Sequence, residues 1–136
     1  MIFSYLIPLV LIPLLDFVWL GLLMKSFYLE HTRSVAVIGP NGFEVNYGAA
    51  ALVYIFLSLG INFFVAPKAE NISSALIWGF VFGVCVYGIY DFTNMATLKD
   101  WTLTLSLVDI LWGGVLCAIT SLAVFWVRNL GGVTTA

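Results

Sequence analysis

Long apolar runs alternate with short polar breaks along the chain, and the breaks set the elements. Apolar residues dominate about residues 2–24, 46–66, 72–98 and 102–127. Each run reaches the length of about 20 residues that a helix needs to cross the hydrocarbon of a bilayer. The pattern predicts an all-α integral membrane protein, a four-transmembrane-helix bundle forming a single membrane domain over residues 1–136. In the connection after helix 1, charged Lys25, Glu30 and Arg33 mix with Phe27, Tyr28 and Leu29. That mixture predicts a short amphipathic helix at the interface. Gly39-Pro40-Asn41-Gly42 is a turn signal, and Pro67 closes the second span. Asp100 or Thr102 is a candidate N-cap for the fourth. From Asn129 the tail reads as loose. The first run lacks a basic leader and a small-residue cleavage site, so it reads as a retained span.

Two of the runs carry a second pattern inside the first. Ala75, Gly79, Gly83, Tyr87 and Asp91 recur every four residues, which places them on one helix stripe, small at one end and polar at the other. Ser106, Asp109, Gly113, Cys117 and Thr120 make a similar face in the fourth run. Ala75, Gly79, Gly83 and Gly113 are the candidate packing positions, because small residues let membrane helices approach closely. The same argument predicts close approach at Gly48, Ala49, Ala50 and Ala51. Pro13 removes a helical hydrogen bond from the carbonyl of Leu9, so a kink is expected just before Asp16.

The polar positions inside the runs are the candidate chemistry. Tyr90-Asp91-Phe92-Thr93-Asn94 is the most polar point of the third span. Let side A be the end where the chain starts and side B the other. Residue counting then puts Asp16, Asp91 and Asp109 each roughly 10–12 Å in from side B, at 1.5 Å of rise per residue. No Lys, Arg or His falls inside a span. The acids are left with four options: to be protonated, to accept hydrogen bonds from Trp19, Tyr87, Tyr90, Asn94 or Trp112, to hold a cation, or to face water. The first two amount to a buried polar knot that locks helices together. Asp16-x-x-Trp19-x-Gly21 and Asp109-x-x-Trp112-x-Gly114 share a pattern, but an inverted repeat would put Asp109 in the A half. A shared local role fits better, with each Trp one turn from the acid on its own helix and able to donate its indole N–H.

Three segments carry a family resemblance: Asp16-x-x-Trp19-Leu20-Gly21, Tyr90-Asp91-Phe92-Thr93-Asn94-Met95-Ala96-Thr97-Leu98, and Asp109-x-x-Trp112-Gly113. Together they resemble a family of small bacterial four-helix predicted membrane proteins of unknown function, whose segment reads Tyr-Asp-Leu-Thr-Asn-x-Ala-Thr-Leu. Phe92 departs mildly from it. The resemblance implies a multi-pass protein of the bacterial inner (plasma) membrane and supplies no catalytic residue.

Composition narrows the function classes. Charged residues make up 9% of the 136 residues, and the five Lys and Arg are scattered singly. No basic stripe is present, so nucleic-acid binding is excluded as a reading. Lys25, Arg33 and Lys99 on side B against Lys68 and Arg128 on side A give too small a bias to orient the protein. Cys85 and Cys117 lie in apolar segments and read as packing residues. His31 lies in a loop. No metal-ligand spacing or cofactor motif is found. The partners expected are the lipid bilayer and either further copies of the chain or another membrane protein. Embedded acids among aromatic rings suggest a proton- or cation-linked small-solute transporter acting as an oligomer. The alternatives are an accessory or assembly subunit of a larger membrane complex, or a membrane enzyme acting on a lipid or isoprenoid.

Overall fold

The computed structural model describes residues 2–132 and is an all-α membrane bundle with four spanning helices. Helix α1 (Ile2–Val18) runs on through a wide π turn, Trp19–Leu23. The short α2 (Lys25–Thr32) follows, then a hairpin of β1 (Ile38–Gly39) and β2 (Gly42–Phe43). Helix α3 (Tyr47–Gly60) continues through a second π turn, Ile61–Val65, and a 3-10 turn, Ala66–Lys68. Helices α4 (Ile72–Thr97) and α5 (Leu103–Gly132) complete the chain.

Local chemistry accounts for the element ends. The Asn46 side chain accepts from the Ala49 N–H at 3.0 Å and starts α3. Asn71 and Ser74 form a reciprocal capping box at the start of α4, each bond 2.9 Å. The Thr102 hydroxyl accepts from the Leu105 N–H at 3.2 Å and caps α5. Asp100, beside it, has φ of 65°, the left-handed conformation that short polar side chains tolerate in tight turns. The hairpin pairs Ile38 with Phe43 and Gly39 with Gly42 around Pro40-Asn41, with Gly42 at φ 121°. Lys25 Nζ donates to the Asn41 carbonyl at 3.2 Å and ties the hairpin to α2.

The core lies where α1, α3 with its π turn, and α5 meet: Ile12, Leu57, Ile61, Val65, Leu116, Cys117 and Val124. Helix α4 packs mainly against α5 through residues without bulk. A Cβ added at Gly83 would overlap the Gly113 carbonyl, and one at Gly79 would come within 2.7 Å of the Cys117 carbonyl. The buried residues of α4 are Ala75, Gly79, Gly83 and Asp91, all on the four-residue stripe. Large apolar side chains cover the outside; on α1 these include Ile2, Phe3, Val10, Leu14 and Phe17. That distribution suits a lipid surround, where hydrocarbon rather than water contacts the outer face.

The structure corrects two expectations. Gly48, Ala49 and Ala51 are exposed, so no helix approaches them closely; the tight contacts are made by α4 and α5 instead. Helix α5 does not stop near Val127 but continues to Gly132, since nothing from Arg128 to Leu130 breaks a helix. The remaining tail, 133–136, lies outside the described residues. Helix α1 runs without a break across Pro8 and Pro13 and passes into the π turn at Trp19.

Candidate functional site

Two of the acids are held by indoles and a phenol supplied from across the bundle. Asp16, on α1, accepts from Trp112 Nε1 of α5 at 2.9 Å, and Tyr54 of α3 faces it. Asp109, on α5, accepts from the Tyr28 hydroxyl of α2 at 2.7 Å. The Tyr28 oxygen in turn accepts from Trp19 Nε1 at 3.2 Å. The rings of Trp19 and Trp112 stack between these bonds, with centroids 4.5 Å apart and planes within 4°. Such a pair adds about 0.5–1.5 kcal/mol beyond its buried area.

This arrangement overturns the expectation that each Trp serves the acid of its own helix. The reason is direction. Helix α1 runs from A to B and α5 from B to A. Three residues of rise separate acid from Trp in both, and an offset of the same length between the two acids brings Trp112 to Asp16 and Trp19, through Tyr28, to Asp109. The repeated Asp-x-x-Trp pattern therefore makes one crossed unit rather than two local ones.

The third acid is placed differently. Asp91 is fully buried on α4. It faces Asp109 at hydrogen-bonding range, with Trp101 and Ser106 close by. Neither carboxyl oxygen of Asp91 receives a well-formed hydrogen bond. The Trp101 indole N–H is already used on Ser106 Oγ at 3.1 Å. Asp109 is the hub, since both Asp91 and Asp16 lie close enough to interact with it.

A cavity of about 950 Å³ opens beside this cluster. Its floor and walls come from Asp16 of α1, Tyr54 of α3, Tyr87, Tyr90 and Asn94 of α4, and Asp109 and Trp112 of α5. Tyr28 of α2, with Val35, Val37 and Phe43 of the following connection, covers it from the B side. Tyr90 and Asn94 face each other on the wall, and Tyr90 meets Trp101 edge-on with centroids 6.0 Å apart. Asp91 does not line the cavity. Among the described residues, Lys25 is the one positively charged side chain on the lining.

Burial and the neighbouring Asp109 carboxylate hold the Tyr28 phenol well above the usual tyrosine range. Tyr28 therefore keeps its proton and remains a donor to Asp109. Of the donors expected from sequence, Trp112 bonds an acid directly, Trp19 acts through Tyr28, and Tyr87, Tyr90 and Asn94 line the cavity.

Sequence reasoning missed Tyr28, Tyr54, Trp101 and Ser106 as neighbours of the acids. Tyr54 had a signal, since Ala50, Tyr54 and Leu57 of α3 and Ile61 of the following π turn recur at helical spacing on one inner face. Tyr28 had none, because its place depends on the chain turning back after the π turn at Trp19–Leu23. Among the described residues, no three His, Cys, Asp or Glu side chains group as metal ligands. The cluster offers negative charge, aromatic faces and hydroxyl donors.

Residues 1–126 match a family model described as "Predicted membrane protein (DUF2177)". No curated protein and no solved structure matches the chain. With that match over nearly the whole length and four apolar spans in the fold, the chain belongs to the DUF2177 family of predicted membrane proteins.

Proposed function

We propose that the protein binds a small organic cation in the side-B cavity and carries it across a bacterial inner membrane, linked to proton or cation movement, as an oligomer. One observation carries the reading: Asp16 and Asp109 face a single aromatic-walled cavity, and no span supplies a basic partner for either. A carboxylate in such a place attracts a positive ligand, and the faces of Tyr54, Tyr87 and Trp112 complement it. Each cation–π contact contributes about 0.5–2 kcal/mol, more when water is excluded. Protons on the cavity carboxyls balance the charge when the ligand leaves, which links the two movements. Oligomer formation fits the limited volume that four helices enclose.

The test is binding of tetraalkylammonium ions of increasing size to purified protein in micelles, followed by tryptophan fluorescence, with Trp101 and Trp112 on the cavity wall as reporters. A saturable response is expected, weakened at least tenfold in Asp109→Asn. In proteoliposomes the bound ion should enter with an opposing pH change. If no ion gives a saturable response, and the Asn variants differ from wild type only in stability, the acids are a packing knot and the carrier reading falls.

A further inference from the structure

The three acids do not share one job. Asp16 and Asp109 line the cavity, whereas Asp91 is fully buried behind Asp109 and reaches no cavity wall. An ionised Asp91 would be a buried charge beside a second carboxylate, with no well-formed hydrogen bond on either oxygen. The Ser106 hydroxyl and the Trp101 indole lie close by, but both are neutral and neither reaches a well-formed bond to it. The groups facing it are Asp109 and Ser106 of α5, Trp101 just before α5, Tyr28 of α2 and Tyr90 on its own helix, none of them a cation. A buried charge left without a partner is strongly disfavoured.

Protonation removes the conflict at once. A carboxylic acid at Asp91 has an O–H to donate, and Asp109 lies within hydrogen-bonding range to accept it. The Asp109 carboxylate then has two donors, Asp91 on one side and Tyr28 at 2.7 Å on the other. Two donors stabilise its charge without neutralising it. We infer that Asp91 is a permanently neutral carboxylic acid that positions Asp109, and that Asp109 is the residue that presents negative charge to the cavity. Asp91 is thus a positioning residue. The part that concerns the ligand rests on the organic-cation reading above; the protonation of Asp91 does not.

This assignment makes an unusual demand on mutagenesis. Asn carries an N–H in the place of the acid's O–H, so Asp91→Asn should keep the donation to Asp109 and bind tetraalkylammonium within about threefold of wild type. Asp91→Leu removes the donor and should bind at least tenfold more weakly, with Asn the conservative rescue. Asp109→Asn removes the charge and should lose binding.

The deciding measurement is infrared spectroscopy of the unliganded protein in micelles. A protonated-carboxyl C=O band is expected that shifts in D₂O and does not change between about pH 5 and 9, where an ordinary carboxyl is ionised. This pH-invariant band should vanish in Asp91→Asn and persist in Asp16→Asn and Asp109→Asn, whereas any band from a cavity carboxyl that takes up a proton without ligand grows as pH falls. Absence of the band in wild type, or its survival in Asp91→Asn, overturns the assignment. The two readings fail separately: an Asp91 band without cation binding removes the carrier, and cation binding with the band on another residue removes the role of Asp91.

Discussion

The two halves of the bundle use polar groups in opposite ways. Toward side A, polar side chains give their hydrogens to main-chain carbonyls: Ser58 Oγ to Tyr5 at 2.8 Å, Asn62 Nδ2 to Ser4 at 3.0 Å, and Thr120 Oγ1 to Leu116 at 2.8 Å. Around them α4 and α5 meet at Gly79 and Gly83 with no room for a Cβ. Toward side B, side chains bond one another across helices, Trp112 to Asp16 and Trp19 through Tyr28 to Asp109, and a cavity stays open. Half A spends its polarity on holding helices together, as small residues and hydroxyls do in membranes. Half B holds carboxyls that no internal base neutralises, a structure with capacity left for a ligand. The α4 stripe crosses from one regime to the other at Tyr87, whose ring lies where a Cβ on Gly113 would be.

The sharpest break is in half A. Gly83→Ala places a methyl against the Gly113 backbone, which cannot step aside. Its cost should reach or exceed the upper end of the about 1–3 kcal/mol usual for overpacking. Gly88→Ala on the same helix meets nothing within 4 Å and should leave stability unchanged. Unfolding of both variants by a denaturing detergent in mixed micelles measures the contrast; equal stabilities would refute the tight contact.

Half B should yield more gently in stability. Tyr28→Phe keeps the ring but takes one donor from Asp109 and leaves the Trp19 N–H without its acceptor. A loss of about 1–3 kcal/mol is expected, as for a buried partner left unsatisfied. An unchanged unfolding midpoint in the same assay would show that the phenol is dispensable.

Titration sharpens the same point. The Tyr28 phenol is raised in the folded protein above its unfolded value. Its contribution to stability is complete below about pH 10 and declines as pH climbs above that, since the unfolded phenol ionises first. In an ultraviolet titration the folded Tyr28→Phe variant should show as many tyrosines ionising through the ordinary range as folded wild type, because Tyr28 is already silent there. One tyrosine fewer in the variant would show that Tyr28 titrates as an ordinary phenol.

The smallest expected effect lies at the ends of the spans. Asn71→Ala removes the capping box that starts α4 and should cost about 1 kcal/mol, with binding in the side-B cavity untouched. Loss of tetraalkylammonium binding in this variant would show that the two halves are coupled rather than separate.

What the sequence determined is whatever depends on local period and on length. Four apolar runs had to become spans, because a bilayer leaves backbone polar groups no partner outside a helix. The stripe Ala75, Gly79, Gly83, Asp91 had to share one helix face, and Thr102 was legible as a cap. Tertiary structure decided who faces whom. That Trp112 serves Asp16, and Trp19 reaches Asp109 only through Tyr28, follows from α1 and α5 lying antiparallel and in contact. That Asp91 lies behind Asp109 rather than on the cavity wall follows from α4 packing on α5 at glycine distance. A period assigns a residue to a face of its own helix; which neighbour that face meets, and whether a cavity or a carbonyl lies there, is set by helices distant in sequence.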